Sequence, residues 1–312
     1  MSRVARLLAI ALVLSMLLGT GITVSLAQEP AVSAASGYIV GPPCLPTGCW
    51  VSGSAPLPYE IHFENDETQA TAPAQSVTIR APLDSHLDLS SFSLGSFGFG
   101  GRTFDVPANS SSYETRLDLT ADLGLYVNVS AGLDATSREA FWLFQAVDPT
   151  GAAKGFLPPD LNGGQGQGFV YYSIKPLATA QTLDDVGVGA RITFDDNAPV
   201  DVPPVSNTLD CSKPLSWIVS DSLNVTGTTI GFEWRGVDDS EILDVDLYVS
   251  RDGGPFELML EKQYQTWLYL QVEVGHTYGF YTIARDYVGN READKTAADL
   301  TVYPEPRWPA GP

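Results

Sequence analysis

What most constrains this chain is a two-residue alternation of apolar and polar side chains, with almost no 3.6-residue period to set against it. LDVDLYVS (243–250) alternates without a break, placing Leu243, Val245, Leu247 and Val249 on one face. YEIHF (59–63) turns Tyr59, Ile61 and Phe63 one way and Glu60 and His62 the other, and TIGFEW (229–234) gathers Ile230, Phe232 and Trp234. WLYLQVEV (267–274) reads as burying Leu268, Leu270, Val272 and Val274. Successive strand side chains point to opposite faces, so this is the pattern of strands with one face in a core. SVTI (76–79), TRLDL (115–119), LGLYVNV (123–129), FWLFQAV (141–147), FVYYSI (169–174) and GARITF (189–194) continue it. ENDET, GFGG, ANSS, DPTGAAKG and NGGQGQG separate the runs as turns. Many short strands with polar turns between them predict an all-β chain of two tandem antiparallel sandwiches.

The N-terminal stretch is of another kind. Arg3 and Arg6 precede LLAIALVLSMLL (7–18), and Ser25-Leu26-Ala27 supplies small residues before Gln28, the pattern of a secretory signal peptide over 1–27. Gly19, Thr20, Gly21 and Thr23 interrupt the apolar run before the roughly 20 residues a membrane span needs. No second such run follows, so the expectation is a secreted, extracellular or cell-surface protein with no transmembrane segment after cleavage. Residues 28–54 read as a leader strand or linker with a cysteine loop, 55–210 as a first sandwich, 211–304 as a second and 305–312 as a tail. Residues 215–304, with roughly seven alternating runs, have the size of one immunoglobulin-like sandwich.

Charge removes whole classes of partner. The chain carries 37 acidic and 17 basic residues, and loss of Arg3 and Arg6 would take its formal charge from −20 to −22. Such a surface repels nucleic-acid phosphates and anionic membranes and attracts divalent cations. Cys44 and Cys49 flank a short Pro/Gly loop in PPCLPTGCW and are a candidate disulfide. Cys211 is left over and reads as a semi-buried thiol rather than an intermolecular bridge.

Two segments resemble known modules. VEVGHTYGFYTIARDYVGN (272–290), with LYVSRDGGPFELML (247–260), resembles the end of a fibronectin type III module, over residues 214–304. The resemblance implies a corner tyrosine at Tyr278, its hydroxyl reaching back to backbone, and a closing turn at Ala284, Asp286, Gly289 and Asn290. It implies no catalytic residue. PYEIHFEN (58–65), APAQ (72–75) and FDDNAP (194–199) resemble a repeat domain of secreted bacterial surface proteins, mostly uncharacterised extracellular modules.

FDDNAPVDVPP (194–204) is the sharpest candidate for chemistry. Calcium takes six to eight oxygen ligands, and Asp195, Asp196, Asn197 and Asp201 offer four side chains. Glu64, Asp66 and Glu67 of FENDET could add to them, and DDNAP resembles the calcium-stiffened linker between cadherin repeats, without its full Asp-x-Asn-Asp-Asn run. The competing reading is a polar turn whose Asp and Asn bond local backbone. A second acidic group, Asp238, Asp239, Glu241, Asp244 and Asp246, reads by default as a solvated face; an ion between it and Asp286 is the sharper alternative and is not adopted.

Enzymatic motifs are missing. NGGQGQG (162–168) precedes a strand and lacks the lysine of a phosphate loop, and SLGSFGFGG (93–101) fails the dinucleotide pattern for the same reason. His62, His86 and His276 form no metalloprotease or triad signature. The expectation is a non-catalytic extracellular structural or adhesive module of a bacterial exported protein, with calcium as its candidate ion and an extracellular protein or glycan as partner. A carbohydrate-binding or accessory module is the alternative, since Trp267 and Tyr269 would face outward two residues apart. A hydrolase with an unrecognised carboxylate pair is the third reading.

Overall fold

Residues 32–45, 48–161 and 163–305 are described by a computed structural model. The signal-peptide reading of 1–27 and most of the tail lie outside them. The first sandwich packs a five-stranded sheet on a seven-stranded one. The smaller sheet runs β1 (Ala35–Val40), β3 (Leu57–Asn65), β10 (Gln167–Pro176), β5 (Leu87–Phe99) and β6 (Arg102–Phe104). The larger runs β2 (Trp50–Ser52), β12 (Val200–Asp210), β11 (Asp185–Phe194), β4 (Ser76–Pro82), β9 (Glu139–Val147), β8 (Leu125–Asp134) and β7 (Ser112–Leu119). Pairing is antiparallel except where β2 joins β12 in parallel. Strict alternation decides what lies between the sheets: β3 buries Leu57, Tyr59, Ile61 and Phe63, while β9 buries Ala140, Trp142, Phe144 and Ala146.

The second sandwich sets β13 (Leu215–Ile218), β14 (Asn224–Thr226), β15 (Thr229–Val237) and β18 (Trp267–Gln271) against β16 (Ile242–Arg251), β17 (Glu257–Gln263), β19 (Tyr278–Asp286) and β20 (Leu300–Val302). In the second sheet the order is β17-β16-β19-β20, and in the first β15 lies between β18 and the short β13 and β14. This is the fibronectin III-like arrangement. Its core, from Ile218 to Val302, is distinct from the first, which runs from Ile39 to Leu209. The Tyr278 hydroxyl accepts a hydrogen bond from the Glu273 backbone N–H at 3.1 Å. Among the described residues no helix is long and apolar enough to cross a membrane.

Several local expectations are corrected. Of the leader strand or linker expected over 28–54, residues 35–40 and 50–52 are edge strands of the first sandwich, so the linker alternative and the domain start at 55 are what change. The GFGG turn falls at Gly100 and Gly101, and the glycine-rich stretch before it is the end of β5, where Phe92 and Leu94 and then Phe97 and Phe99 are buried. The register slips between those pairs, so a bulge breaks the period that would have revealed the strand. Gly95 sits at the slip with the Tyr171 ring packed where a side chain would go. VDVPP opens β12: Pro203 and Pro204 fall at a second register slip, on a stretch paired only with β11. Val274 is exposed, because β18 ends at Gln271.

Candidate functional site

Of the predicted calcium ligands, Asp195, Asn197, Asp66 and Asp201 bond to protein partners. Asp195 opens the turn between β11 and β12 with a left-handed φ of 52°. Its Oδ1 accepts from the backbone N–H groups of Gln75 and Ser76 at 2.8 and 2.9 Å, and its Oδ2 from the Ser33 hydroxyl at 2.6 Å. Asn197 donates its amide to the Ser33 carbonyl at 2.9 Å. Asp66 caps its own turn through Thr68 and Gln69, and the Thr68 bonds chiefly hold its carboxyl below the usual range. Asp201 pairs with Arg191 at 2.9 Å, and Asp196 is exposed. Glu64 is pushed up by burial and then by Asp160, Asp66 and Glu67. Among the described residues, Glu64, Asp66, Asp195, Asp196 and Asp201 yield no three carboxylates whose oxygens approach within 4.8 Å. FDDNAP forms a hydrogen-bonded clasp joining Ser33, β4 and the β11–β12 turn.

The solvated-face reading of Asp244 and Asp246 is also corrected. Both are buried, and Arg285 of β19 reaches them at 2.7 and 2.8 Å. The neighbouring strand supplies the cation that lets two carboxylates leave water. Cys211 is exposed rather than semi-buried, and Cys44 is bonded to Cys49.

Trp267 and Tyr269 do face outward. They are 41% and 67% exposed, with ring centroids 6.3 Å apart and planes 19° from parallel. Tyr269 lies opposite Gly231 on β15, where a Cβ would come within 2.8 Å of its ring, so the glycine makes room for the tyrosine to lie flat. Trp217 on β13, 42% exposed, and the Glu233–Arg235 pair at 3.1 Å extend the same sheet face. The alternation of β18 revealed the two rings; their neighbours come from strands whose pairing the sequence does not specify.

The two cores meet with almost no spacer: β12 ends at Asp210 and β13 begins at Leu215. The Asp210 carbonyl accepts from the Gly53 N–H of the first sandwich at 2.9 Å and from the Asn290 amide of the second at 3.2 Å. Its carboxylate is fully buried and turns toward Asp238, in the β15–β16 loop, and Asp286, at the end of β19. One carboxylate oxygen from each residue lies within 4.8 Å of the others. Burial is the main cause that lifts the Asp238 carboxyl to about 6; bonds from Ser240 oppose it, and Asp210 and Asp286 add to it. Asp286 is raised as well, by burial first, against bonds from Asn290 and Gly289 and with Asp210 adding.

Neither a protein family nor a curated relative matches the sequence. Solved structures that it is similar to include the C-terminal domain of the AgI/II polypeptide BspA of Streptococcus agalactiae, at 12% identity over 83% of this chain and 97% of that one, TM-score 0.39. A collagen-binding domain from a Staphylococcus aureus adhesin aligns at 13% identity over 57% and 99%, TM-score 0.28. The fibronectin(III)-like modules of Clostridium thermocellum CbhA align at 11% over 86% and 94%, TM-score 0.28. At TM-scores this low the likenesses bear no weight, and the fold assignment stands on strand order and the two cores.

Sequence reading picked out Asp238 and Asp286 but missed Asp210, the residue that brings them together. Its signal was a carboxylate closing the last alternating strand, in NTLDCSKP (207–214), a segment read as a domain boundary.

Proposed function

We propose that the chain is a non-catalytic structural or adhesive module of a bacterial exported protein, in which two sandwiches meet at a fixed joint and hold a binding face away from the cell. What carries the reading is Asp210, whose one carbonyl is bonded to Gly53 on one side and Asn290 on the other. A flexible tether would leave that carbonyl to water. The signal-like segment 1–27 supports export. The reading is tested by spin labels at the exposed Ser137 and Glu261, as Ser137→Cys and Glu261→Cys in a Cys211→Ser background. A single narrow distance distribution is expected; a broad one, as between freely tethered domains, would overturn it.

The stacked, exposed Trp267 and Tyr269 favour a second reading, a module that binds glycan rings on the β18 face. Turnover of a polysaccharide or peptide pool by the purified protein would replace both readings with a hydrolase.

A further inference from the structure

The joint contains more negative charge than its hydrogen bonds account for. Each of the three aspartates has one committed oxygen. Asp210 Oδ1 accepts from the Ser212 N–H and hydroxyl at 3.0 and 2.7 Å, and Asp238 Oδ2 from those of Ser240 at 2.9 and 3.0 Å. Asp286 Oδ1 accepts from the backbone N–H groups of Val288 and Asn290 at 3.0 and 2.8 Å. The sister oxygens, Asp210 Oδ2, Asp238 Oδ1 and Asp286 Oδ2, are buried and have no partner. Asp210 and Asp286 are 0% exposed, and among the described residues none of the three carboxylates forms an ion pair.

That pattern differs from the other buried carboxylates of this sandwich. Asp244 and Asp246 have Arg285, and Glu292 has Lys295 at 3.3 Å as well as Ser216. Buried charge is ordinarily paired or coordinates a metal, and here the pairing group is missing: each carboxylate keeps a buried oxygen without a partner, and one oxygen of each lies within 4.8 Å of the others. We propose that Asp210, Asp238 and Asp286 are ligands of a single calcium ion that clamps the end of the first sandwich to the β15–β16 loop and the end of β19 in the second.

The donor set selects the ion. All three side-chain donors are carboxylate oxygens, with no imidazole or thiolate among them, which suits a hard cation rather than zinc or copper. Magnesium demands a stricter octahedron and gives up its water reluctantly, whereas calcium accepts irregular sets of carboxylates and backbone carbonyls. The committed oxygens keep each carboxylate oriented, so the site is positioned before an ion arrives. The sequence explains the geometry. The turn after Asp286 runs through Gly289, whose φ of 96° lets the chain bend back so that Asn290 can donate both to Asp286 and to the Asp210 carbonyl.

The assignment does not depend on rigid spacing being the function, and its test reads binding directly. Full-length mature chain, stripped with chelator, is titrated with calcium chloride by calorimetry and melted with and without the ion. One calcium per chain is expected, with a rise in melting temperature that magnesium does not reproduce. Asp238→Asn and Asp286→Asn retain an oxygen for the committed hydrogen bonds and are expected to weaken binding at least tenfold. Asp196→Asn with Asp201→Asn, at exposed residues of the clasp and of β12, is expected to leave it unchanged. In chelator the order should invert: either single variant should melt above the wild type, because it removes repulsion that no ion neutralises. A purely structural carboxylate gives no such inversion. Absence of calcium binding in the wild type, an equal response to magnesium, or binding that survives both single variants would overturn the proposal. Spin-label distances stay narrow or broad independently of these outcomes, so a failed ion site and a flexible joint are told apart.

Discussion

At the scale of single residues, the acidic side chains of this protein fall into distinct physical roles that composition alone cannot separate. Asp195 binds two backbone donors and a hydroxyl; Asp246 binds an arginine; Asp210 leaves one buried oxygen unpaired. The first role predicts a stability effect without any effect on ion binding. Asp195→Ala strands the N–H groups of Gln75 and Ser76 at the edge of the first core, at a cost of roughly 3 kcal/mol for three bonds to a charged acceptor. For a domain of this size that is a fall in melting temperature of about 6–12 °C, read by calorimetry in chelator. Calcium affinity should be unchanged; a parallel loss of affinity would return the ion to FDDNAP. The acidic clusters were legible in the sequence, but the distinction among them was not. It depends on which donors arrive from distant strands, such as Ser33 opposite Asp195, 162 residues away.

At the scale of elements, alternation located the centres of most strands and failed where the pleat is interrupted. Strands β3, β9 and β16 were legible because every second residue is apolar along nearly their whole length. The bulges in β5 and β12 shift that phase, and glycine or proline at the slip looks like a turn. The ends of strands were equally hidden: Val274 continues the pattern of β18 but lies beyond its last hydrogen bond to β15. Within β18 the alternation also separates two kinds of residue that mutation can test. Leu268 and Leu270 are buried, while Trp267 and Tyr269 are exposed. Trp267→Ala should leave the folding stability within about 0.5 kcal/mol of the wild type, as for surface positions in general. If the face binds glycan, a glycan array should show binding to the wild type that falls at least tenfold in the variant. Binding that persists undiminished would remove this face from consideration.

At the scale of the whole molecule, the two hydrophobic cores share no buried residue, and the joint between them is polar. Hydrophobic burial is the main source of folding cooperativity, so each sandwich should unfold as its own unit when no ion bridges them. Leu270→Ala removes a side chain that is 4% exposed in the second core, a change that costs about 3 kcal/mol. Calorimetry in chelator should show two transitions, the one belonging to the second sandwich lowered by more than about 10 °C and the other nearly unmoved. One transition that shifts as a whole would mean that the polar joint alone couples the domains. Calcium changes the expectation in a specific direction. Asp210 belongs to the first sandwich and Asp238 and Asp286 to the second, so a bound ion is lost when either side unfolds. Mass action then raises whichever transition comes first, until the two merge. In Leu270→Ala the second sandwich unfolds first, so calcium should raise its transition and leave that of the first sandwich at its chelator value. When the first sandwich is the one destabilised to unfold first, a shared ion should raise its transition instead; an ion bound within the second domain alone would leave it where it was.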